Sequence, residues 1–467
     1  MAPLNNPKEP LVAIIGTTGT GKSDLAVDLA VRFNGEVINA DAMQMYRGLP
    51  VITNQISQEE QRGIPHHLLG HVDPLEPTWT NGLFVQEARR IIKEIRGRGR
   101  LPIVVGGTHY YIHSLLFEGS LISSKDVQSD QAKFRSHEEQ ASHFPILSEP
   151  TEVILQRLRE VDPVMADHWH PGDRRKISRS LEIYLSTGKR ASDIYAQQQR
   201  AKQTRVGLAS PWETLIFWVH TSADVLKARL EKRVDKMLQR GLMDEVEVLH
   251  RRLHDCSERG VTVDRTYGIW QSIGFKEMET FLDGKLKGEP PDVLEKKKNK
   301  GLEEINIATR QYARYQSRWI RQKGLKDFKD HNVLDYLYLF DSTNADEFSA
   351  NVLDPAAGIC RQFLAGETPP RPTEVSVTAR EILSALSSDD AVTKIIFKVR
   401  TCEVCKMSVA TENEWEKHIK GRRHRRGMVK KKYLSLVPIE SVESRALLPM
   451  EVTSEAESMP HDARAQS

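Results

Sequence analysis

A glycine-rich run near the start of the chain carries residues that could bind a phosphate. It reads Gly16-Thr-Thr-Gly-Thr-Gly-Lys22-Ser23 and fits the pattern G-x-x-x-x-G-K-[ST] at every fixed position. In such a loop the backbone N–H groups surround the anion, the lysine adds a positive charge, and the serine hydroxyl can bind Mg²⁺. The residues predicted to hold the phosphate are Gly16, Thr17, Thr18, Gly19, Thr20, Gly21, Lys22 and Ser23. The pattern indicates a phosphate and leaves open whether it belongs to a nucleotide.

A second candidate is Asp41, which closely follows the strand-like run Glu36-Val-Ile-Asn39. Because ligands of open parallel sheets bind beyond the carboxyl ends of the strands, Asp41 is expected to face the anion site of the loop. A carboxylate there could act as a general base toward an acceptor group, with Gln44 or Tyr46 contacting that acceptor. The alternative is that Asp41 only caps a following helix.

The next apolar strand, over residues 101–105, ends in Gly106-Gly107-Thr108 and has no acidic residue there. An ATPase with a phosphate loop usually has an acid at a second strand end to hold Mg²⁺. Its absence argues against nucleotide hydrolysis. Glycines at this turn permit close approach of a ligand, although an ordinary glycine-rich turn has the same composition.

Two basic clusters could meet phosphates elsewhere. Arg229, Arg233 and Arg240 recur along the helical pattern Leu226–Leu242, and the sequence does not decide which of them reaches the loop. The second cluster consists of Arg174, Arg175, Lys176 and Arg179. It predicts either contact with a nucleic-acid backbone or a solvated helix face.

Near the end of the chain the spacing Cys402-x2-Cys405-x12-His418-x5-His424 is typical of a zinc finger. Lysines and arginines surround these ligands and make nucleic acid a natural partner. A nuclear-localisation signal or a solvated tail would also explain the basic run. We therefore predict one structural Zn²⁺ on Cys402, Cys405, His418 and His424.

Composition limits the class of protein. The chain has 467 residues, 39% of them hydrophobic, and a net charge of +3, so it is not basic as a whole. Its four cysteines do not suggest a disulfide framework, which indicates a reducing compartment. No apolar run is long enough to span a membrane, and Met1–Pro10 is a poor targeting leader. We expect a cytoplasmic monomer without a membrane partner, and leave mitochondrial and nuclear pools open.

The alternation of strand-like and helix-like patterns predicts an α/β fold, with a parallel sheet of the P-loop NTPase type, a helical insertion and a zinc finger. The predicted core comprises residues 10–119 and 209–342, with C-terminal helices and a last strand over residues 333–341. The remaining predicted segments are an insertion at 120–208, a linker at 343–398, the finger at 399–427, and a basic then disordered tail at 428–467.

Read together, these motifs resemble the eukaryotic tRNA dimethylallyltransferases, also called tRNA isopentenyltransferases. The similarity covers about residues 10–325 in order, with the finger beyond. The segments that carry it are Gly16–Ser23, Glu36–Tyr46 with Thr53-Asn54, Gly63–Asp73, Pro102–Tyr111, Asp173–Lys189, Leu226–Gly241, Tyr267–Glu277 and Ala308–Trp319. The chain departs from the family at Ala40-Asp41-Ala42, where relatives often carry serine around the aspartate.

The resemblance implies transfer of a dimethylallyl group from dimethylallyl diphosphate to N6 of adenosine 37, in the anticodon stem-loop of tRNA, with Mg²⁺ on Ser23. It assigns Asp41 to the adenine amine, Thr108 to catalytic support and Arg233 to the diphosphate. It also places tRNA against a set of residues comprising Asp41, Ala42, Met43, Gln44, Arg174, Arg175, Lys176 and Arg179. The rival classes are a P-loop kinase or ATPase with an RNA-binding finger, and a non-catalytic RNA-binding scaffold.

Overall fold

A computed structural model of the chain describes residues 7–76, 79–117, 144–204, 212–388, 397–404, 408–421, 424, 425 and 428. Cys405 and most of the predicted tail lie outside these residues. Within the described chain no helix is both long and apolar enough to cross a membrane.

A six-stranded parallel sheet organises the N-terminal part of the chain and confirms the predicted α/β class. Its strands are β1 (Leu11–Gly16), β2 (Gly35–Asn39), β3 (His66–His67), β4 (Leu101–Val105), β5 (Thr214–His220) and β6 (Leu337–Asp341), in the order β3-β2-β4-β1-β5-β6. Ile14 of β1 and Asn39 of β2 both pair with Val105 of β4. The segments that follow these three strands therefore emerge side by side at one edge of the sheet.

Helices connect and cover the strands. The first group is α1 (Lys22–Arg32), α2 (Asn81–Gly97), α3 (His109–Leu116), α4 (Thr151–Val161), α5 (Pro163–His168), α6 (Arg174–Thr187) and α7 (Ala191–Thr204). The second group is α8 (Ala223–Gln239), α9 (Leu242–Glu258), α10 (Phe275–Leu286), α11 (Pro291–Trp319), α12 (Leu325–Asp330), α13 (Asp354–Leu364) and α14 (Val377–Ser388). A π-helical turn, Ile320–Gly324, joins α11 to α12.

The core has two apolar layers, one on each face of the sheet. Val12 and Ile14 of β1 pack with Leu25 and Leu29 of α1 on one face, whereas Ala13 and the other alternate β1 residues pack on the opposite face. A parallel sheet covered on both faces has strands that are apolar throughout. This is why β1, β4 and β5 can be recognised in the sequence as continuous apolar runs.

The prediction of a linker at 343–398 is wrong over α13 and α14, two α-helices that the structure describes within this segment. Helix α13 buries Ala356, Cys360 and Phe363, and these side chains belong to the same apolar layer as Phe340 of β6. Their spacing of four and three residues is that of an amphipathic helix. The signal is weak because alanine and cysteine replace large apolar side chains at two of these positions.

The chain divides into two compact units. The first comprises residues 1–145 and 183–392, and the second comprises residues 146–182 and 393–467. The second unit contains α4, α5 and the finger elements β7 (Phe397–Thr401), β8 (Ser408–Thr411) and α15 (Glu412–Ile419), with β7 and β8 antiparallel. The insertion is helical over its described residues, but its predicted bounds of 120–208 differ from this division, which assigns the described residues 183–204 to the first unit.

Candidate active site

The glycine-rich loop lies between β1 and α1, as its sequence context predicts. Gly21 has a φ of 90°, a left-handed conformation that favours glycine, and Lys22 is the first residue of α1. The Lys22 ammonium donates a hydrogen bond to the Thr17 carbonyl at 2.6 Å, and Ser23 is exposed beside it. The loop thus presents a cation and a hydroxyl at the N-terminus of a helix, the arrangement that suits an anion.

The segments that follow β2 and β4 are tied to each other. The Thr108 N–H donates to the Ala40 carbonyl at 3.2 Å, and the Thr108 hydroxyl accepts from the Ala42 N–H at 2.9 Å. Thr108 therefore bonds both residues that flank Asp41, Ala40 through its backbone and Ala42 through its side chain.

Asp41 is oriented by its neighbours. Asn39 accepts from the Asp41 N–H at 3.0 Å and donates to the Asp41 carbonyl at 3.0 Å. The Asp41 Oδ1 atom accepts from the Met43 N–H at 3.1 Å, at the start of the short 3₁₀ helix Met43–Met45. Its Oδ2 atom lies 3.2 Å from the point that a Cβ atom on Gly107 would occupy. The Oδ1 atom of Asp41 therefore satisfies a backbone N–H at the start of a helical turn, while its Oδ2 atom lies near the turn after β4.

The structure shows which of the three arginines lies against the loop. Arg233 donates from Nη1 to the Thr18 hydroxyl. Arg229, one turn earlier on α8, instead donates to the carbonyls of Ser342 at 2.6 Å and Thr343 at 3.2 Å. Arg240 is exposed beyond the end of the helix. The Arg233 guanidinium therefore lies at the loop through Nη1, while its buried Nε atom has no acceptor among the described residues.

Burial and mutual charge shift the protonation of this cluster. Burial lowers the pKa of Lys22 to about 8, with Arg233 lowering it further and Asp41 opposing the shift. Burial raises the pKa of Asp41, although Lys22 and Arg233 oppose that shift. Burial also lowers the pKa of His109 to about 3, so this histidine is neutral near pH 7 and does not supply positive charge.

Sequence reasoning missed Gln316, a buried side chain on α11. Its Oε1 atom accepts from the Thr18 N–H at 2.9 Å, and its Nε2 atom donates to the Gly107 carbonyl at 3.0 Å. The sequence feature that could have revealed Gln316 is its position, a polar residue in line with the buried side chains of α11. Those side chains include Ile305, Thr309 and Ala313. A glutamine at a core-facing position needs hydrogen-bond partners, and here both belong to the site.

The residues expected to meet tRNA lie in two places. Ala42, Met43 and Gln44 form the partly exposed segment after Asp41, where the Gln44 side chain donates to the Asn54 carbonyl at 3.1 Å. The four cations of the second cluster are exposed around the first turns of α6, and they are Arg174, Arg175, Lys176 and Arg179. The structure places these two groups in different compact units, and their contact with tRNA stays a prediction.

Three of the four predicted zinc ligands converge in the second unit. Their ligand atoms all lie within 4.8 Å of one another, and the Nδ1 atom of His424 is 3.3 Å from both the Cys402 Sγ and the His418 Nε2. Ligands bonded to Zn²⁺ at 2.0–2.3 Å in a tetrahedron are separated by about 3.3–3.8 Å, so this set fits zinc. The fourth predicted ligand, Cys405, lies outside the described residues.

Comparison with known proteins places this site in a family. The IPP transferase family model matches residues 44–323, more than half of the chain. The tRNA dimethylallyltransferase of Schizosaccharomyces pombe is 37% identical over 91% of this chain and 96% of its own length. The chain belongs to the tRNA dimethylallyltransferase family. The Homo sapiens member is 35% identical over 94% of this chain and 90% of its own length.

A solved structure and a second family model extend the likeness beyond the core. A crystal structure of a eukaryotic dimethylallyltransferase acting on tRNA has a TM-score of 0.75 and 32% identity, and covers 94% of this chain and all of its own. A C2H2 zinc-finger model matches residues 400–424. Both the family resemblance and the C-terminal finger predicted from the sequence are therefore confirmed. The roles of individual site residues stay predictions.

Proposed function

We propose that this chain transfers the dimethylallyl group of dimethylallyl diphosphate to N6 of adenosine 37 in tRNA, beside the anticodon, and releases diphosphate. Family membership makes the chain an enzyme that transfers a dimethylallyl group to tRNA. The observation that carries the finer proposal is the convergence of Lys22 and Arg233 with Asp41, a set of two cations and one potential base at a phosphate loop.

The cationic side of the site suits the donor. Breaking the carbon–oxygen bond leaves its electron pair on the diphosphate, so negative charge grows on the leaving group. Loop N–H groups, Lys22 and Arg233 would stabilise that charge with donors already in place. Ser23 is exposed at the start of α1 and would hold Mg²⁺, which supplies further positive charge to the diphosphate when bound.

Asp41 suits the acceptor. The exocyclic amine of adenine is a weak nucleophile, and as its nitrogen bonds to the dimethylallyl carbon it must lose a proton. The Asp41 carboxylate would accept that proton. Because the base must reach a partly enclosed carboxylate, we expect adenosine 37 to leave its stack before reaction.

The function is tested by incubating full-length protein with Mg²⁺, dimethylallyl diphosphate and an anticodon stem-loop, followed by mass analysis of the nucleosides. We expect N6-isopentenyladenosine and free diphosphate, and no product from a matched stem-loop with guanosine at position 37. Modification of the guanosine-37 substrate would contradict the assigned position. RNA-stimulated ATP hydrolysis without modified adenosine would instead favour the P-loop ATPase class.

Donor affinity is expected to fall as the pH rises through about 8. The lowered pKa of Lys22 means that its ammonium loses a proton in this range in the free protein, whereas the bound diphosphate favours the charged form. Binding at pH 8 should therefore take up protons. Calorimetry of donor binding in buffers of different ionisation enthalpy measures this uptake, and Lys22→Arg should abolish it because a guanidinium does not titrate there. Equal uptake by both proteins would show that another group titrates.

We also propose that the α6 cations and the finger bind tRNA. Lys176 and Arg179 form ion pairs with Asp173 and Glu182 at 2.8 Å each, and all of these cations are exposed. The cations are exposed and the carboxylates are partly buried. Ion pairs at a protein surface contribute little stability, so RNA phosphates would compete for these cations. In the finger, Lys417, Lys420 and Arg425 are exposed around the ligand cluster.

Removing the finger is expected to weaken tRNA binding and leave donor binding unchanged. Truncation near residue 395 removes the zinc ligands and their surrounding cations but leaves the phosphate loop intact. Each lost phosphate contact should lower the salt slope of tRNA binding by roughly 0.7–0.9. Two measurements test this. Mass spectrometry should find one zinc ion in the full chain, and tRNA affinity is measured as a function of salt concentration for the full-length and truncated proteins. Overlapping salt curves would show that the finger does not contact tRNA.

A further inference from the structure

Gln316 links the two halves of the proposed site. Its carboxamide bridges the Thr18 N–H of the phosphate loop and the Gly107 carbonyl of the turn after β4, at 2.9 Å and 3.0 Å. The side chain is only 1% exposed, and it also makes a hydrogen bond with the Tyr312 phenol one turn earlier on the same helix. Its polar ends are thus occupied by protein groups.

The position of Gly107 makes this bridge tight. A Cβ atom at Gly107 would lie 2.5 Å from the Gln316 Nε2 and 3.2 Å from the Asp41 Oδ2. The glutamine amide and the proposed base therefore flank the same glycine, and no side chain fits between them. At the other end of the carboxamide, the Gln316 Oε1 atom accepts a hydrogen bond from Thr18, and the Thr18 hydroxyl accepts one from Arg233.

These contacts connect the donor and acceptor subsites through a single side chain. We propose that Gln316 is a positioning residue, which sets the distance between the diphosphate on the loop and the adenine amine at Asp41. The proposal rests on the proposed function. A prenyl transfer needs the reacting carbon and nitrogen about 3–3.5 Å apart, and a misplacement of about 1 Å can cost roughly 100-fold in rate. Because the Gln316 amide is occupied by the Thr18 and Gly107 backbone, it acts through the loop and the turn.

The test replaces Gln316 with leucine, which has a similar size and no hydrogen bonds. The single-turnover rate at saturating donor and tRNA should fall roughly 10–100-fold, while the Kd values for both substrates change less than about threefold. Gln311→Leu is the matched control, since Gln311 is exposed on the same helix. Active-site titration and thermal unfolding give the folded fraction of each variant.

A rate for folded Gln316→Leu within about twofold of the unsubstituted protein would overturn the proposal. So would a fall fully explained by a smaller folded fraction, or a loss of donor affinity with a normal rate at saturation. If the leucine variant does not fold, Gln316→Met provides the same test, because methionine is unbranched and of similar size but cannot donate to the Gly107 carbonyl. An unsubstituted protein that transfers no dimethylallyl group would instead contradict the proposed function.

Discussion

Replacing Asp41 with asparagine is expected to lower the turnover of tRNA prenylation by roughly 10²–10⁴, or about 3–5 kcal/mol of transition-state stabilisation. Asparagine keeps the shape of the side chain and its oxygen can still accept from the Met43 N–H, which aspartate does at 3.1 Å. The substitution therefore preserves this hydrogen bond and removes the basicity and the negative charge of the carboxylate. The measurement is single-turnover formation of modified adenosine at saturating substrates.

The pH profile adds a second readout for the same variant. Burial raises the pKa of Asp41, so the unsubstituted enzyme should lose activity on acidification at a higher pH than an ordinary aspartate would require. That acidic limb should be absent from the residual activity of Asp41→Asn. The matched control is Asp235→Asn, since Asp235 is exposed on the helix that carries Arg233. Near-normal turnover of Asp41→Asn would reduce Asp41 to a capping residue.

Replacing Arg233 with alanine is expected to weaken donor binding and to lower kcat/KM by roughly 10²–10³. Arg233 contacts the Thr18 hydroxyl and lies close enough to Lys22 to lower its pKa, so its positive charge would act both on the bound donor and on the departing diphosphate. Lys22→Ala should act in the same direction, because its ammonium lies at the loop's Thr17 carbonyl. Donor affinity by calorimetry and single-turnover kinetics separate the two effects.

Arg240→Ala serves as the control for Arg233, because Arg240 is an exposed arginine beyond the end of the same helix. It should leave donor affinity unchanged. Unaltered donor binding in both Arg233→Ala and Lys22→Ala would show that the diphosphate binds elsewhere. An effect confined to tRNA affinity would assign Arg233 to the nucleic acid.

Much of the site could be predicted because its signals are local. The phosphate loop needs consecutive residues in one strand–turn–helix unit, and Asp41 and Thr108 each lie within three residues of the end of a strand of the parallel sheet. The finger likewise depends on short spacings between ligands. Backbone geometry and side-chain periodicity act over such distances, so a pattern in the sequence carries the information.

The linker prediction shows where local signals weaken. Helix α13 packs under the sheet with Ala356 and Cys360 at core positions. Because these side chains are small, the apolar and polar faces of α13 differ little in hydrophobicity, and the helix is hard to recognise from its sequence pattern. What buries them is the face of a sheet whose strands are far away in the sequence.

The sequence by itself determined a phosphate loop, a strand-end carboxylate and a C2H2 spacing, and these motifs sufficed to recognise the family. The family resemblance also assigned Arg233 to the diphosphate, but only the tertiary structure showed that Arg233, and not Arg229, contacts Thr18 and that Gln316 bridges the loop to Gly107. Arg229 and Arg233 share a helix face, but a step of four residues moves a side chain about 6 Å along the axis. Which of them meets Thr18, and what a glutamine almost 300 residues away contacts, depends on how α8 and α11 pack against the sheet.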